Sequence, residues 1–210
     1  MMPNSTVKKK KLILFDLDGV LIDSRCNMKL AWDKVCNKFQ INIPFDEYFA
    51  HIGRPFSEIL TLLRIFENKK QIETVFIKES FHSLEDIPIY EGVNSLLIKL
   101  QQKKIKIGVV TSKEKARTKI ILNKLDVEFS VIKTPDDICR GKPAPDHLLM
   151  AMALLNVDPI DTLFVGDMLV DYLAAQRAGI DYVHANWGYG ACDDSNILHI
   201  DKISELTEFV

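Results

Sequence analysis

The hydrophobic pattern changes period twice along the chain. A short apolar run at 12–15 (LILF) reads as a buried strand and leads directly into Asp16, Leu17 and Asp18. From about 24 to 87 the spacing is helical. Met28, Trp32, Val35, Cys36 and Phe39 share one face, and Phe45, Phe49 and Ile52 follow the same period. So do Phe56, Ile59, Leu60, Leu63 and Phe66, and then Ile72, Val75 and Phe76. Pro44, Gly53 with Pro55, and Asn68 break the pattern, which predicts a bundle of about four helices. From residue 89 the two periods alternate. Val93, Leu96, Leu97 and Leu100 mark a helix, 105–111 (IKIGVVT) a strand, Ala116, Ile120 and Leu125 a helix, and 129–133 (FSVIK) a short strand. Pro145 suits the first turn of a helix ending near 155. A strand follows at 162–167 (TLFVGD), then a helix from about 169 that stops at Gly179, and a strand at 181–186 (DYVHAN).

Helices alternating with apolar strands predict an α/β fold with a doubly wound, parallel, Rossmann-like sheet. The strand at 12–15 belongs to that sheet, so the helical stretch is an insertion after strand one. The expected division is a core of 1–23 and 88–210 with a small helical cap of 24–87. A length of 210 residues, 47% hydrophobic and 27% charged, is that of an ordinary globular chain. A net charge of −2 argues against nucleic acid or an anionic membrane as partner. The basic run Lys8, Lys9, Lys10 and Lys11 reads as a solvated edge, and the apolar stretch after it is too short for a signal peptide. The longest uncharged stretch, 148–157, is too short to cross a bilayer. Cys26, Cys36, Cys139 and Cys192 have no CxxC spacing, which predicts reduced, mostly buried thiols in a cytoplasmic chain and no structural zinc.

Sites in open α/β sheets form beyond the carboxyl ends of the strands. Collected there are Asp16 and Asp18; Thr111, Ser112 and Lys113; and Asp167, with Asp171 one helical turn on. Lys142 sits in a stiffened RGKPAPD loop before the Pro145 helix. Carboxylates at Asp16 and Asp18 repel unless a positive charge lies between them. Asp16, Asp18 and Asp167 form a hard oxygen set suited to Mg²⁺, and Thr111, Ser112 and Lys142 supply donors for phosphate oxygens. The chemistry that follows is phosphoryl transfer. Asp16 acts as nucleophile and forms an aspartyl-phosphate, and Asp18 protonates the leaving oxygen and then activates water.

DLDGVLIDS, VVTSK, RGKPAPD and VGDMLVD, in that order, resemble the four motifs of the haloacid dehalogenase-like hydrolases, over essentially the whole chain. The branch with a small helical cap is the most similar, with relatives such as phosphoglycolate phosphatase and β-phosphoglucomutase. The resemblance implies that Asp16 is nucleophile and metal ligand, and that Asp18 is acid/base and lends its backbone carbonyl to the metal. It also implies that Thr111 and Lys142 hold phosphate, that Asp167 completes the metal site and that Asp171 supports it. Met168 departs from the pattern, because many relatives carry a small hydroxylated residue there.

The expected function is Mg²⁺-dependent hydrolysis of a small phosphorylated metabolite, of the sugar phosphate or phosphoglycolate class. A phosphosugar mutase is the alternative. Its relatives carry a histidine a few residues beyond the Asp-Ser pair, where this chain has Met28. A dehalogenase has no use for Asp18, and a receiver domain has no helical insertion after strand one. Asp23 is expected to cap or hinge, and the five histidines are given no role. The 186–190 segment (NWGYG) reads as a structural turn that could border the site. Arg54, in the break between two cap helices, offers a guanidinium fork for the leaving group.

Overall fold

A computed structural model describes residues 9–135, 139–192, 194 and 197–210; Lys8, the first residue of the basic run, lies outside them. The strands are β1 (Leu12–Phe15), β2 (Lys106–Val110), β3 (Val131–Lys133), β4 (Thr162–Gly166), β5 (Asp181–Ala185) and β6 (Leu198–Ile200). They form a parallel sheet in the order β3-β2-β1-β4-β5-β6. This is the doubly wound α/β architecture expected from the alternation of elements. The winding reverses between β1 and β4, and the ends of these two strands carry Asp16 and Asp167.

The central strands β1, β2 and β4 read as near-continuous apolar runs because both faces are covered. Leu12 and Leu14 pack on one side with Leu148, Met152, Ala174 and Ala175. These come from α7 (Asp146–Leu155) and α8 (Leu169–Ala178). Ile13 and Phe15 point the other way, into a cluster with Leu97, Leu100, Ile121 and Leu206. That face is covered by α5 (Val93–Gln102), α6 (Lys115–Leu122) and a C-terminal 3₁₀ turn at Ile203–Phe209. The helix α8 stops at Gly179 with φ 69°, as its sequence predicts. Strand β6 and the last turn are elements that the hydrophobic pattern did not predict.

Between β1 and α5 lie α1 (Arg25–Phe39), α2 (Phe45–Phe49), α3 (Phe56–Leu62) and α4 (Lys69–Phe81). They enclose an apolar cluster of their own, built around Trp32, Tyr48, Phe49, Leu60 and Phe76. Trp32 is fully buried, stacks on Tyr48 at 4.6 Å and donates from Nε1 to the Ile43 carbonyl. The chain leaves the sheet and returns to it side by side. Ile22 bridges Ile89, the Asp23 N–H donates to Pro88 O, and the Tyr90 N–H donates to Leu21 O. No helix is long and apolar enough to cross a membrane among the described residues.

Two expectations need correction. Lys10 is not part of a solvated edge: its side chain is buried, its Nζ donates to Ile160 O at 2.9 Å, and it pairs with Asp181. The stem lies under the sheet's end while the ammonium reaches two acceptors, a disposition that a run of four lysines conceals. Of the four cysteines only Cys192 is buried; Cys26 is exposed, and Cys36 and Cys139 are half-buried. Helical periodicity placed Cys36 on the apolar face, yet it lies at that face's rim.

The buried ammonium gives a direct test. Lys10→Met keeps the stem and leaves the Ile160 carbonyl without its donor, so it should cost about 1–3 kcal/mol in urea unfolding at unchanged slope. Lys9→Met, at an exposed neighbour, should leave the midpoint where it is.

Candidate active site

Asp16 is the first residue past β1, and its N–H still bonds to Val165 O, so the register with β4 fixes its backbone. Its side chain is almost wholly buried. Asp167 follows β4 in the same way and is completely buried. Asp171 lies in the first turn of α8, where its Oδ2 accepts the Met168 N–H at 3.1 Å. Carboxylate oxygens of Asp16, Asp167 and Asp171 all lie within 4.8 Å of one another. Lys142 closes the cluster, with its Nζ 2.8 Å from Asp16 Oδ1 and 2.6 Å from Asp171 Oδ1. The Lys142–Pro143 peptide bond is cis.

Crowding on this scale has electrostatic consequences. Burial pushes Asp16 up to about 7, partly opposed by Lys142, and Asp171 and Asp18 add to the rise. Asp167 is raised well above the usual carboxylate range by burial and then by Asp171 and Asp16. Burial would lower Lys142, but Asp16 and Asp171 outweigh it and hold the ammonium charged. Lys113 is lowered by burial, against the pull of Asp18.

Whether a cation fits follows from the oxygens. Asp167 Oδ2 accepts the Tyr189 N–H at 2.7 Å, while Asp167 Oδ1 is buried with no hydrogen-bond partner among the described residues. A buried carboxylate oxygen without a donor has lost its hydration and gained nothing in exchange. An all-oxygen set of this kind fits a hard divalent ion such as Mg²⁺. Glycines approach Asp167 closely. A Cβ on Gly188 would lie 2.2 Å from the Asp167 Cβ, and one on Gly19 would lie 2.1 Å from its Oδ2.

The carboxylate set differs from the expected one in one member. The Asp18 side chain is not among the three clustered carboxylates; Asp171 takes that place. Asp18 Oδ1 instead meets Lys113 Nζ at 3.0 Å and accepts from Ser24 Oγ. The strand ends at Phe15, so the alternation that would have put Asp16 and Asp18 on one side does not continue. Thr111 is buried at the end of β2, and its Oγ1 accepts the Lys113 N–H. The Ser112 hydroxyl, expected at phosphate, donates to Gly53 O of the helical insertion at 2.7 Å. Arg54 pairs with Glu58 at 2.8 Å.

Asp16, Asp18, Thr111, Ser112, Lys142 and Arg54 border one cavity of about 70 Å³. Lys113 and Arg117 also line it. These two had no role in the sequence reading. Lys113 stood in the strand-end set and could have been found there. Arg117 reaches the cavity from α6 and bonds to Ser80 Oγ of α4, a pairing only the packing reveals. Met168 turns toward the helical insertion and packs on its apolar cluster, which leaves the carboxylates undisturbed. Asp23 accepts the Arg25 N–H and so serves the first turn of α1, as expected of a capping residue. The 186–190 loop does border the site, through Gly188 and Tyr189.

Comparison with known proteins bears on the chain's family and fold. A pyrophosphatase PpaX from Oceanobacillus iheyensis is 29% identical, over 93% of this chain and 92% of its own. A phosphoglycolate phosphatase from Aquifex aeolicus is 31% identical, over 85% and 86%. The fold is shared with a hydrolase from Pseudomonas syringae of known structure, at a TM-score of 0.81 and 24% identity, covering 94% of this chain and 96% of that one. Residues 13–185, from the first strand to the end of the fifth, match the haloacid dehalogenase-like hydrolase model, and the chain belongs to that family.

Proposed function

We propose that this chain is a Mg²⁺-dependent phosphatase acting on a small phosphorylated metabolite through an aspartyl-phosphate on Asp16. The observation that carries the reading is the buried trio Asp16, Asp167 and Asp171 facing a single ammonium, with one oxygen of Asp167 left without a donor. Asp16, Asp167 and the Asp18 backbone carbonyl would hold the cation, with Asp171 fixing Lys142 behind them. When bound, the ion supplies positive charge against the phosphoryl oxygens and the nucleophile.

The chain's own residues do the rest. Asp16 attacks phosphorus, the bond to the leaving oxygen breaks, and Asp18 gives that oxygen a proton. Asp18 then takes a proton from water, which attacks phosphorus and frees Asp16. Lys142 stays charged and neutralises phosphoryl oxygens, and Thr111 and the loop after it supply donors. The helices between 25 and 81 act as the cap that excludes water.

The cavity of about 70 Å³ favours a small leaving group, and Lys113, Arg54 and Arg117 on its walls favour an anionic one. The names of the two relatives, a pyrophosphatase and a phosphoglycolate phosphatase, are in keeping with that class. Met28 lines the cavity where mutase relatives carry a histidine, so the mutase reading lacks its proton carrier.

Asp16→Asn should abolish turnover of 2-phosphoglycolate and pyrophosphate with Mg²⁺ while the melting curve stays cooperative, because an amide cannot form the intermediate. Residual activity above about 1% in clean protein would move the nucleophile elsewhere.

The carboxylates also predict a stability effect that needs no substrate. Asp16 keeps its proton up to about pH 7 in the folded chain, against 3.8 unfolded. Between those values the folded state binds more protons, so metal-free stability falls as pH rises. At pH 8 without divalent ions, Asp167→Asn should therefore melt above the wild type, by roughly 2–4 °C per kcal/mol of relieved repulsion. The gap should close toward pH 4, and Mg²⁺ should reverse the order by stabilising the wild type alone. Calorimetry with and without chelator measures both effects.

Arg54→Ala should reduce kcat/KM about tenfold for 2-phosphoglycolate and spare p-nitrophenyl phosphate, which offers the cap no anionic group. Equal losses on the two would put Arg54 beside the phosphoryl group instead.

A further inference from the structure

The 186–190 loop carries a tyrosine whose contacts go beyond those of a turn. Tyr189 donates its N–H to Asp167 Oδ2 at 2.7 Å. Its phenol donates to Asp23 Oδ1 at 2.9 Å and accepts the Ser24 N–H at 2.7 Å. Its ring meets Phe49 of α2 edge-on at 5.0 Å. One residue thus touches a carboxylate of the buried trio, the linker through which the chain leaves the sheet, and the helical insertion. The next contact along the linker is chemical. The Ser24 hydroxyl donates to Asp18 Oδ1, where Lys113 Nζ also arrives. Ser24 is fully buried, and its side chain makes no capping bond to α1, so the hydroxyl is free to serve Asp18.

We propose that Tyr189 is a positioning residue that sets the proton-transfer geometry of Asp18 through Ser24. The proposal rests on the phosphatase reading given above. Both donors address Oδ1, which leaves Oδ2 as the oxygen through which Asp18, a residue lining the cavity, would pass a proton. The phenol holds Ser24 in place by its main-chain N–H, and the edge contact with Phe49 makes that hold depend on the insertion being docked. When Asp16 attacks phosphorus and the bond to the leaving oxygen breaks, the proton on Asp18 Oδ2 passes to that oxygen. A linker free to shift would leave the carboxyl misaligned at that moment, and misplacement of this kind lowers rate without removing any group from the site.

The test uses two leaving groups of similar size. p-Nitrophenolate departs without a proton, whereas phenolate needs one. The quantity kcat/KM with saturating Mg²⁺ reports the steps through leaving-group departure. Tyr189→Phe keeps the ring on Phe49 and the N–H on Asp167, and it strands the buried Ser24 N–H. Ser24→Ala removes the hydroxyl that reaches Asp18. Both variants should lose about tenfold on phenyl phosphate and less than twofold on p-nitrophenyl phosphate. Both variants should still unfold cooperatively in Mg²⁺, Tyr189→Phe at a melting temperature lowered by the stranded N–H, and if it folds poorly Ser24→Ala carries the comparison alone. Equal losses on the two esters, or no loss on either, would overturn the proposal, because a merely structural tyrosine has no means of telling the leaving groups apart. A wild type that turns over neither ester with Mg²⁺ would fail earlier and take down the phosphatase reading itself.

Discussion

Three carboxylates share a water-excluded space with one ammonium at the end of the sheet, and the surrounding structure is arranged to make that possible. Coulomb repulsion between such groups at 4–5 Å amounts to several kcal/mol even at an effective dielectric well above that of dry protein. Flexible side chains would relieve it by swinging apart. Here they cannot: Asp16 and Asp167 extend two adjacent parallel strands, and Asp171 is tied to the first turn of the helix that follows. The sheet register therefore decides the spacing of the charges. Lys142 offsets part of the repulsion, and the remainder makes the cluster receptive to a cation.

That constraint explains why the walls of the site are made as they are. Glycines press on Asp167 where any side chain would collide, so the loops at 19 and 188 approach it backbone-first. The insertion supplies the opposite wall, and its aromatic cluster makes it a body with its own core rather than a loose loop. Core and insertion meet through few but definite bonds, including Ser112 to Gly53 and Arg117 to Ser80. Residues that looked purely catalytic or purely structural in the sequence thus combine both roles. The Ser112 hydroxyl stands beside the proposed phosphoryl site and holds the insertion in place.

Two of the cationic side chains on the cavity wall, Lys142 and Lys113, matter for the same reason. Lys113 is nearly as buried as Lys142 yet pairs with a different carboxylate, Asp18. The site therefore holds two separate ionic groups, Lys142 with Asp16 and Asp171 at the proposed nucleophile and Lys113 with Asp18 at the proposed acid/base. Separating them lets each carboxylate sit in its own field, the usual basis for giving two like groups different tasks.

Strand and helix periods were legible in the chain because burial on both faces leaves an almost unbroken apolar record, and the insertion showed itself as a change from one period to another. The residues at the strand ends were legible for a similar reason: parallel strands deliver their carboxyl ends to one edge, so Asp16, Thr111 and Asp167 could be gathered on topology alone. What the sequence left open depended on distances across the fold. Nothing in the spacing distinguishes Lys10, which dives under the sheet, from Lys9, which does not. Nor could it show that Asp171 and not the Asp18 side chain joins the carboxylate trio, because that turns on where β1 stops and how α8 begins. Tyr189 reaches Asp23 and Ser24 across more than 160 positions of chain. By itself, then, the sequence determined the order of elements and the kinds of group at the sheet's edge, since both are written in local period and residue type. Only the tertiary structure decided which of those groups touch, because contact depends on packing between segments that have no neighbourhood in the chain.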